Sequence, residues 1–256
     1  MPYPRNLDDT VVVKDITPEL TTLSCPFGRV VVEIGARAAV IKAKFTDGPG
    51  IILVSPIPIC DKSVNALQNL SVKYLIAPNM VHYMALREWK EKYPAAKIVG
   101  CKSLSSVKLK ALGIACDIEI SDFDKILTAK ELNMTDIADE EELKLIVIGG
   151  HQNRELVTFH GKSKTIVVGD LIFNLPPTEQ YSLSKLGFLD RALYATGVGS
   201  YLQSKIPNML FKNGENGDLA LNELLNLDFE NIVMCHGDTI VRDAKSFYTG
   251  FFKAVL

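Results

Sequence analysis

Four histidines, His82, His151, His160 and His236, are all that the 256-residue chain contains. Three of them stand just beyond runs of apolar, β-prone residues. His82 follows the run 74–77 through Pro78, Asn79, Met80 and Val81; His151 follows 143–148 through Gly149 and Gly150; His236 follows 231–235 and precedes Gly237. A fourth run, 165–168, ends in Gly169 and Asp170. Three imidazoles and one carboxylate are suitable donors for Zn²⁺ or Fe²⁺. A divalent ion held by them would lower the pKa of a water toward neutrality and make a hydroxide nucleophile. Asp170 would compensate charge. Each residue alone reads as ordinary: a histidine after a strand is commonly a hydrogen-bonding or surface group, and Gly-Asp is a common turn dipeptide. Their shared placement singles them out, because α/β folds build sites in the loops beyond strand ends. His160 lies inside an alternating run with Val157 and Phe159 and reads as structural.

The elements that must position these residues show in the hydrophobic pattern. Residues 20–24, 29–34, 38–44 and 51–54 are short β-prone runs. Turn signals at Cys25-Pro26-Phe27-Gly28 and Asp47-Gly48-Pro49-Gly50 separate them, which predicts an antiparallel meander. Asp61 is placed to cap a helix through Leu70 that buries Val64 and Leu67 together. Strands at 74–77, 97–100 and 116–120 then alternate with helices at 80–92 and 102–112. Met84, Leu86 and Trp89 are the expected core contacts of the first helix, and Gly113 ends the second. Such alternation predicts parallel pairing with helices on a sheet face. The acidic stretch 121–142 reads as surface loop with a short helix. Strands at 143–148, 155–160 and 165–168 follow, the last two joined tightly through 161–164. Residues 176–211 read as a helix broken at Gly187, Gly197 and Gly199, and are expected to line part of the pocket. A helix at 219–225, a buried strand at 231–235 and an aromatic-rich helix at 243–254 complete the chain. Phe247, Tyr248, Phe251 and Phe252 are expected in the core. Two such halves, packed sheet to sheet with helices outside, make a four-layer αββα sandwich formed as one domain by residues 1–256.

The bulk composition narrows the class of partner. Apolar residues make up 47% and charged residues 23%, an ordinary globular balance with ample material for a core. A formal charge of −2 gives no global attraction to nucleic acid or to an anionic membrane. No run reaches the roughly 18–20 apolar residues of a membrane helix, and the first residues lack the pattern of a targeting peptide. The five cysteines are scattered, without a CxxC pair, and read as free thiols in a reducing compartment. A cytoplasmic protein acting on a small molecule is therefore expected.

The order of the motifs resembles the metallo-β-lactamase superfamily, in which a histidine-rich HxHxDH motif after an early strand is followed by Gly-His, by a strand ending in Gly-Asp, and by a strand ending in His-Gly. Ile148-Gly149-Gly150-His151 and the stretch from Thr165 to Phe173 look like the middle pair, and Met234-Cys235-His236-Gly237 looks like the last. The whole chain is similar to a divergent branch of that superfamily, a domain of unknown function found in fungi, plants and bacteria. The similarity lies in the opening strands and in the stretches Val54 to Pro58, Ala77 to His82, Tyr93 to Gly100 and Gly169 to Pro176. If His82 matches the last histidine of HxHxDH, then Ala77 and Asn79 replace the other two histidines and Val81 replaces the aspartate. The resemblance then implies that the first metal site is crippled, with only His151 left beside the shared Asp170. The second site keeps His82, Asp170 and His236. Asn79 is expected as a weak oxygen ligand or a substrate-orienting group.

The reading that follows is a mononuclear metal-dependent hydrolase. Its metal set is drawn from His82, His151, Asp170 and His236, and its catalytic candidates are Asp170 and His151, the latter as ligand, general base or substrate contact. One divalent metal is expected, zinc first and iron second. Its substrate would be an ester, lactone, thioester or phosphoester, since the fold hosts many chemistries. Two alternatives stay open: a non-catalytic binding protein that kept the scaffold, and a non-haem iron redox protein.

Overall fold

The computed structural model describes residues 3–29, 32–139, 141–196, 211 and 217–253. The first half contains β1 (Val12–Thr17), β2 (Leu20–Cys25), β3 (Gly28–Arg29), β4 (Val32–Glu33), β5 (Ala36–Phe45), β6 (Gly48–Val54), β7 (Val72–Ile76), β8 (Lys97–Cys101) and β9 (Ile118–Ile120). The second contains β10 (Leu127–Thr128), β11 (Leu143–Ile148), β12 (Glu155–His160), β13 (Thr165–Val168), β14 (Asn231–Met234) and β15 (Ile240–Val241). One sheet runs in the order β1-β2-β5-β6-β7-β8-β9 and the other β10-β11-β12-β13-β14-β15. In the first, the meander is antiparallel through β6, and β6 to β9 pair in parallel. In the second, among the described residues, only β13 and β14 pair in parallel.

Period-two alternation explains the layering. In β11, Leu143, Leu145 and Val147 belong to the core shared with the first sheet, whereas Ile146 and Ile148 join a separate cluster with Leu221, Leu224, Tyr248 and Phe252. β13 and β14 divide in the same way: Val167 and Val233 face the first sheet, and Ile166, Val168, Ile232 and Met234 face the helices. A strand in the middle of four layers is apolar on both faces, so these strands read as near-continuous hydrophobic runs, interrupted by Lys144 in β11. The helices Gly217–Leu225 and Ala244–Phe251 cover the outer face of the second sheet. The helix Leu86–Lys92 packs on β7.

Several sequence expectations needed correction. The helix expected from residue 80 begins only at Leu86, because the Asn79 carboxamide oxygen accepts from the backbone N–H groups of Val81 and His82 and closes a turn there. Met84 is half exposed rather than core. The Asp61 helix is capped by Cys60 and spans only Asp61–Asn65. The 102–112 helix divides into Leu104–Val107 and a 3₁₀ turn, Leu109–Leu112, before Gly113. The 29–34 run forms two short strands paired with each other, with residues 30 and 31 outside the described ones. β1 was not foreseen: it carries exposed polar residues along an edge and has a weak apolar pattern. The breaks at Gly197 and Gly199 and most of the expected pocket-lining segment also lie outside the described residues.

Trp89, the only tryptophan, is fully buried and donates its indole N–H to the Ile57 carbonyl at 2.7 Å. It thereby pins the loop that leaves β6. Trp89→Ala is expected to lower the unfolding free energy by about 3–5 kcal/mol, with the orphaned Ile57 carbonyl adding to the cavity cost. Urea unfolding followed by far-ultraviolet circular dichroism measures this, and a loss under 1 kcal/mol would contradict the packing described.

Candidate metal centre

Parallel pairing puts the relevant strand ends on one edge. Val168 of β13 sits opposite Met234 of β14, so Asp170 and His236, each two residues further on, emerge side by side. In the first sheet Val54 sits opposite Ile76, which brings Ser55 and the 77–82 loop to a common edge. The two sheets are stitched there: Met80 N–H donates to the Asn153 carbonyl at 2.9 Å and Leu156 N–H to the Pro78 carbonyl at 2.6 Å.

The outcome is a compact donor cluster. His82 Nε2 lies 3.1 Å and His236 Nε2 3.4 Å from Asp170 Oδ1. One donor atom from each of the three residues lies within 4.8 Å of the others. The two imidazole centroids are 5.1 Å apart. Each ring is oriented from behind. His82 Nδ1 is 3.2 Å from Ser55 Oγ. His236 Nδ1 donates to the Gly35 carbonyl at 2.6 Å, and Phe173 and Phe27 stack on its ring. With its proton on Nδ1, His236 turns the lone pair of Nε2 toward a carboxylate oxygen. Two acceptors facing each other at 3.4 Å call for a cation between them, and a divalent metal ion suits this nitrogen and oxygen set.

His151 is not among the three residues brought together. It is buried, its Nδ1 accepts from the Asn153 N–H at 3.3 Å, Phe211 meets it edge-on, and Nε2 has no partner among the described residues. Asn153 in turn donates through Nδ2 to Asp170 Oδ2 at 3.0 Å. His151 therefore meets the cluster through Asn153 and lies close enough to Asp170 for that residue's charge and backbone to favour its protonated form against burial. Asn79 is fully buried and is no oxygen ligand: its oxygen serves Val81 and His82, and its Nδ2 donates to Asp170 Oδ2 at 3.0 Å and to Glu155 Oε2 at 2.9 Å. His160 lies away from the cluster, between Ser163 and Glu142.

The sequence reading missed Ser55, Arg37, Asn153 and Glu155. Two carried a signal, since Arg37 and Glu155 are charges set in apolar strand patterns. Glu155 has no exposed surface. It accepts from Asn79, from the Asp170 N–H at 3.1 Å and from the Gly169 N–H, and so holds the turn that presents Asp170. Gly169 is required there, because a Cβ would stand 2.7 Å from Asn79 Nδ2. Gly237 has φ +89°, and a Cβ would collide with the Asn174 carbonyl at 2.2 Å.

The electrostatics follow from burial and pairing. Burial opposes ionisation of Asp170, but His82 and His236 outweigh it and hold the carboxyl well below its usual range. Burial likewise opposes the His82 imidazolium, but Asp170, with Cys235 beside the same ring, raises its pKa well above the ordinary value. Burial lowers His236 and keeps it neutral. Burial, with Asp170 nearby, pushes Glu155 up to about 7. The cluster forms the floor of a cavity of about 540 Å³ walled by Phe27, Ile57, Tyr83 and Phe173.

No family model matches the sequence, and no curated protein does. Solved structures do match its fold. A metallo-β-lactamase from Pontibacter korlensis is 11% identical, with a TM-score of 0.59 over 95% of this chain and 99% of that one. The metallo-β-lactamase FIM-1 from Pseudomonas aeruginosa, in a mono-zinc form, is 11% identical with a TM-score of 0.58 over 98% and 97%. A metal-soaked flavodiiron core from Synechocystis is 16% identical with a TM-score of 0.61 over 95% of this chain and 60% of that one.

Two predictions arise from the electrostatics. A protonated His82 must give up its proton to act as a ligand, so zinc uptake should release close to one proton per site near neutral pH, and affinity should rise with pH. Calorimetric titration in buffers of different ionisation enthalpy reads this number, and zero release would contradict the assigned charge state. In the metal-free protein, burial lowers His151 to about 4. The unfolded chain, with its histidine near 6.5, therefore takes up the proton first as pH falls. Stability is lost between about pH 6.5 and 4, by about 3 kcal/mol from this group. His151→Leu should flatten that part of the stability profile, and an unchanged slope in urea unfolding would refute the assignment. With its sandwich architecture and the solved structures in agreement, the chain has the metallo-β-lactamase fold.

Proposed function

We propose that the protein is a mononuclear metal-dependent hydrolase. His82, Asp170 and His236 hold one divalent ion, zinc in the first instance. The observation that carries the reading is the orientation of His236, whose bond to Gly35 leaves Nε2 unprotonated and facing Asp170 Oδ1 at the floor of the cavity. When bound, the ion supplies Lewis acidity toward a carbonyl or phosphoryl oxygen and acidifies water.

The chain's own groups do the rest. Asp170 contributes the negative charge of the set, and its second oxygen is held by Asn79 and Asn153. Ser55 and the Gly35 carbonyl fix the two imidazoles. His151 acts by positioning Asn153 rather than by meeting substrate, since it does not line the cavity. The apolar walls limit water and strengthen the electrostatics of the site. Bonds within reach of this chemistry are esters, lactones, thioesters and phosphoesters. The cellular setting proposed is the cytoplasm; among the described residues no helix is long and apolar enough to cross a membrane.

An iron-dependent redox protein is the second reading, favoured by two histidines and one carboxylate as a non-haem iron set and by the likeness to a flavodiiron core. Elemental analysis of untagged protein separates them: about one zinc per chain is expected, and iron in its place favours the second. Ser55→Ala should weaken zinc binding by about 10–100-fold through loss of the group behind His82. Asp170→Asn should abolish turnover of any aryl ester, lactone, thioester or phosphoester that the wild type accepts. Wild-type activity in Asp170→Asn would rule the mechanism out, and a metal-loaded wild type inert toward all four classes would leave a binding protein.

A further inference from the structure

The walls of the cavity above the cluster are uneven in charge. Asp170 is its only acidic lining residue among those described, and both of its oxygens are engaged. Arg37 also lines it, but its guanidinium has no exposed side-chain surface and is consumed by Ser24, Met234, Gly237 and Glu179. Lys108 is different. It lines the same cavity, is half-buried, and makes no ion pair among the described residues. Its Nζ stands over the Tyr83 ring, 5.9 Å from the centroid, and Tyr83 is the chain neighbour of His82.

The backbone at Lys108 is held by its neighbours. The Lys108 N–H donates to the Leu104 carbonyl at 2.9 Å, and Leu104 and Leu109 on either side of it are fully buried. A half-buried lysine on the cavity lining, over the Tyr83 ring and without a carboxylate partner among the described residues, is a positive charge within reach of a guest. Met84, half exposed, is also part of the lining, and an adaptable thioether at a cavity mouth suits an apolar guest.

We infer that the site takes a small molecule with an apolar, aromatic-compatible body and one anionic group, such as a carboxylate, which Lys108 receives at the rim while the body lies against Phe27, Ile57 and Phe173. Lys108 is thus a specificity-determining residue. This rests on the hydrolase reading for the role of the ligand as substrate, but the recognition itself does not need turnover.

The experiment is calorimetric binding of 4-phenylbutyrate and of its neutral isostere 4-phenylbutyramide to the metal-free protein, which removes direct carboxylate–metal contact. Wild type should bind the acid about two- to fivefold more tightly than the amide, and the preference should shrink with added salt. Lys108→Met should abolish the preference, Lys108→Glu should invert it, and Lys108→Arg should keep it. Equal binding of acid and amide by wild type, binding of neither, or a preference that survives in Lys108→Met would overturn the inference. The hydrolase reading is judged apart from this, by zinc content and by turnover of neutral aryl esters by wild type. Failure there leaves the Lys108 result standing, and failure of Lys108 leaves the metal centre untouched.

Discussion

The buried guanidinium of Arg37 ties the two halves of the molecule at the point where the site forms. It springs from β5 in the first sheet, donates to the carbonyls of Met234 and Gly237 at 2.6 Å each, and is balanced by Glu179 at 2.8 Å. Those two carbonyls bracket Cys235 and His236. A charge without solvent contact is tolerated only when its donors are all engaged, so the loop carrying His236 can sit in few positions. Glu179 extends the clamp by accepting from Thr239 N–H at 3.1 Å, and Gln180 donates to the Gly237 carbonyl at 2.8 Å. The Gly35 carbonyl that orients His236 is two residues from Arg37 along the same segment. Position and orientation of this histidine thus both come from the opposite half of the chain.

A second constraint lies beneath Asp170. Glu155 and Asp170 are two buried carboxyl groups sharing one carboxamide, that of Asn79. The pair divides the burden: Asp170 is held ionised by the histidines, and Glu155 is pushed up toward neutrality by burial. Asn79 is therefore the hub through which the first-sheet loop meets the second sheet. Its side chain also closes the turn that aims His82. Asn79 is thus the structural pivot on which His82 and Asp170 are both held.

The asymmetry of the site follows from these two networks. Its floor is polar and fully cross-bonded, which fixes the donors before any ion arrives. Its walls are aromatic and aliphatic, with a single free cation at the rim among the described residues. A polar, hydrogen-bonded floor thus lies beneath apolar walls in one cavity.

Sequence alone determined the layered architecture and the ends of some central strands. β11, β12 and β13 were legible to the residue, because each is a β-prone run rich in apolar residues and bounded by turn signals. His82, Asp170 and His236 stand out in the sequence because each follows such a run within a few residues. Tertiary structure alone decided which of the four candidates meet. Parallel pairing of β13 with β14 puts Asp170 beside His236, and the Asn79 turn, a side-chain to backbone contact invisible to periodicity, swings His82 toward them. His151 has the same signature, yet its ring is not among the three donors that the structure brings within 4.8 Å of one another. Arg37, Ser55 and Glu155 acquire meaning only through partners on distant strands. Periodicity records which face a residue presents and does not record what stands opposite it.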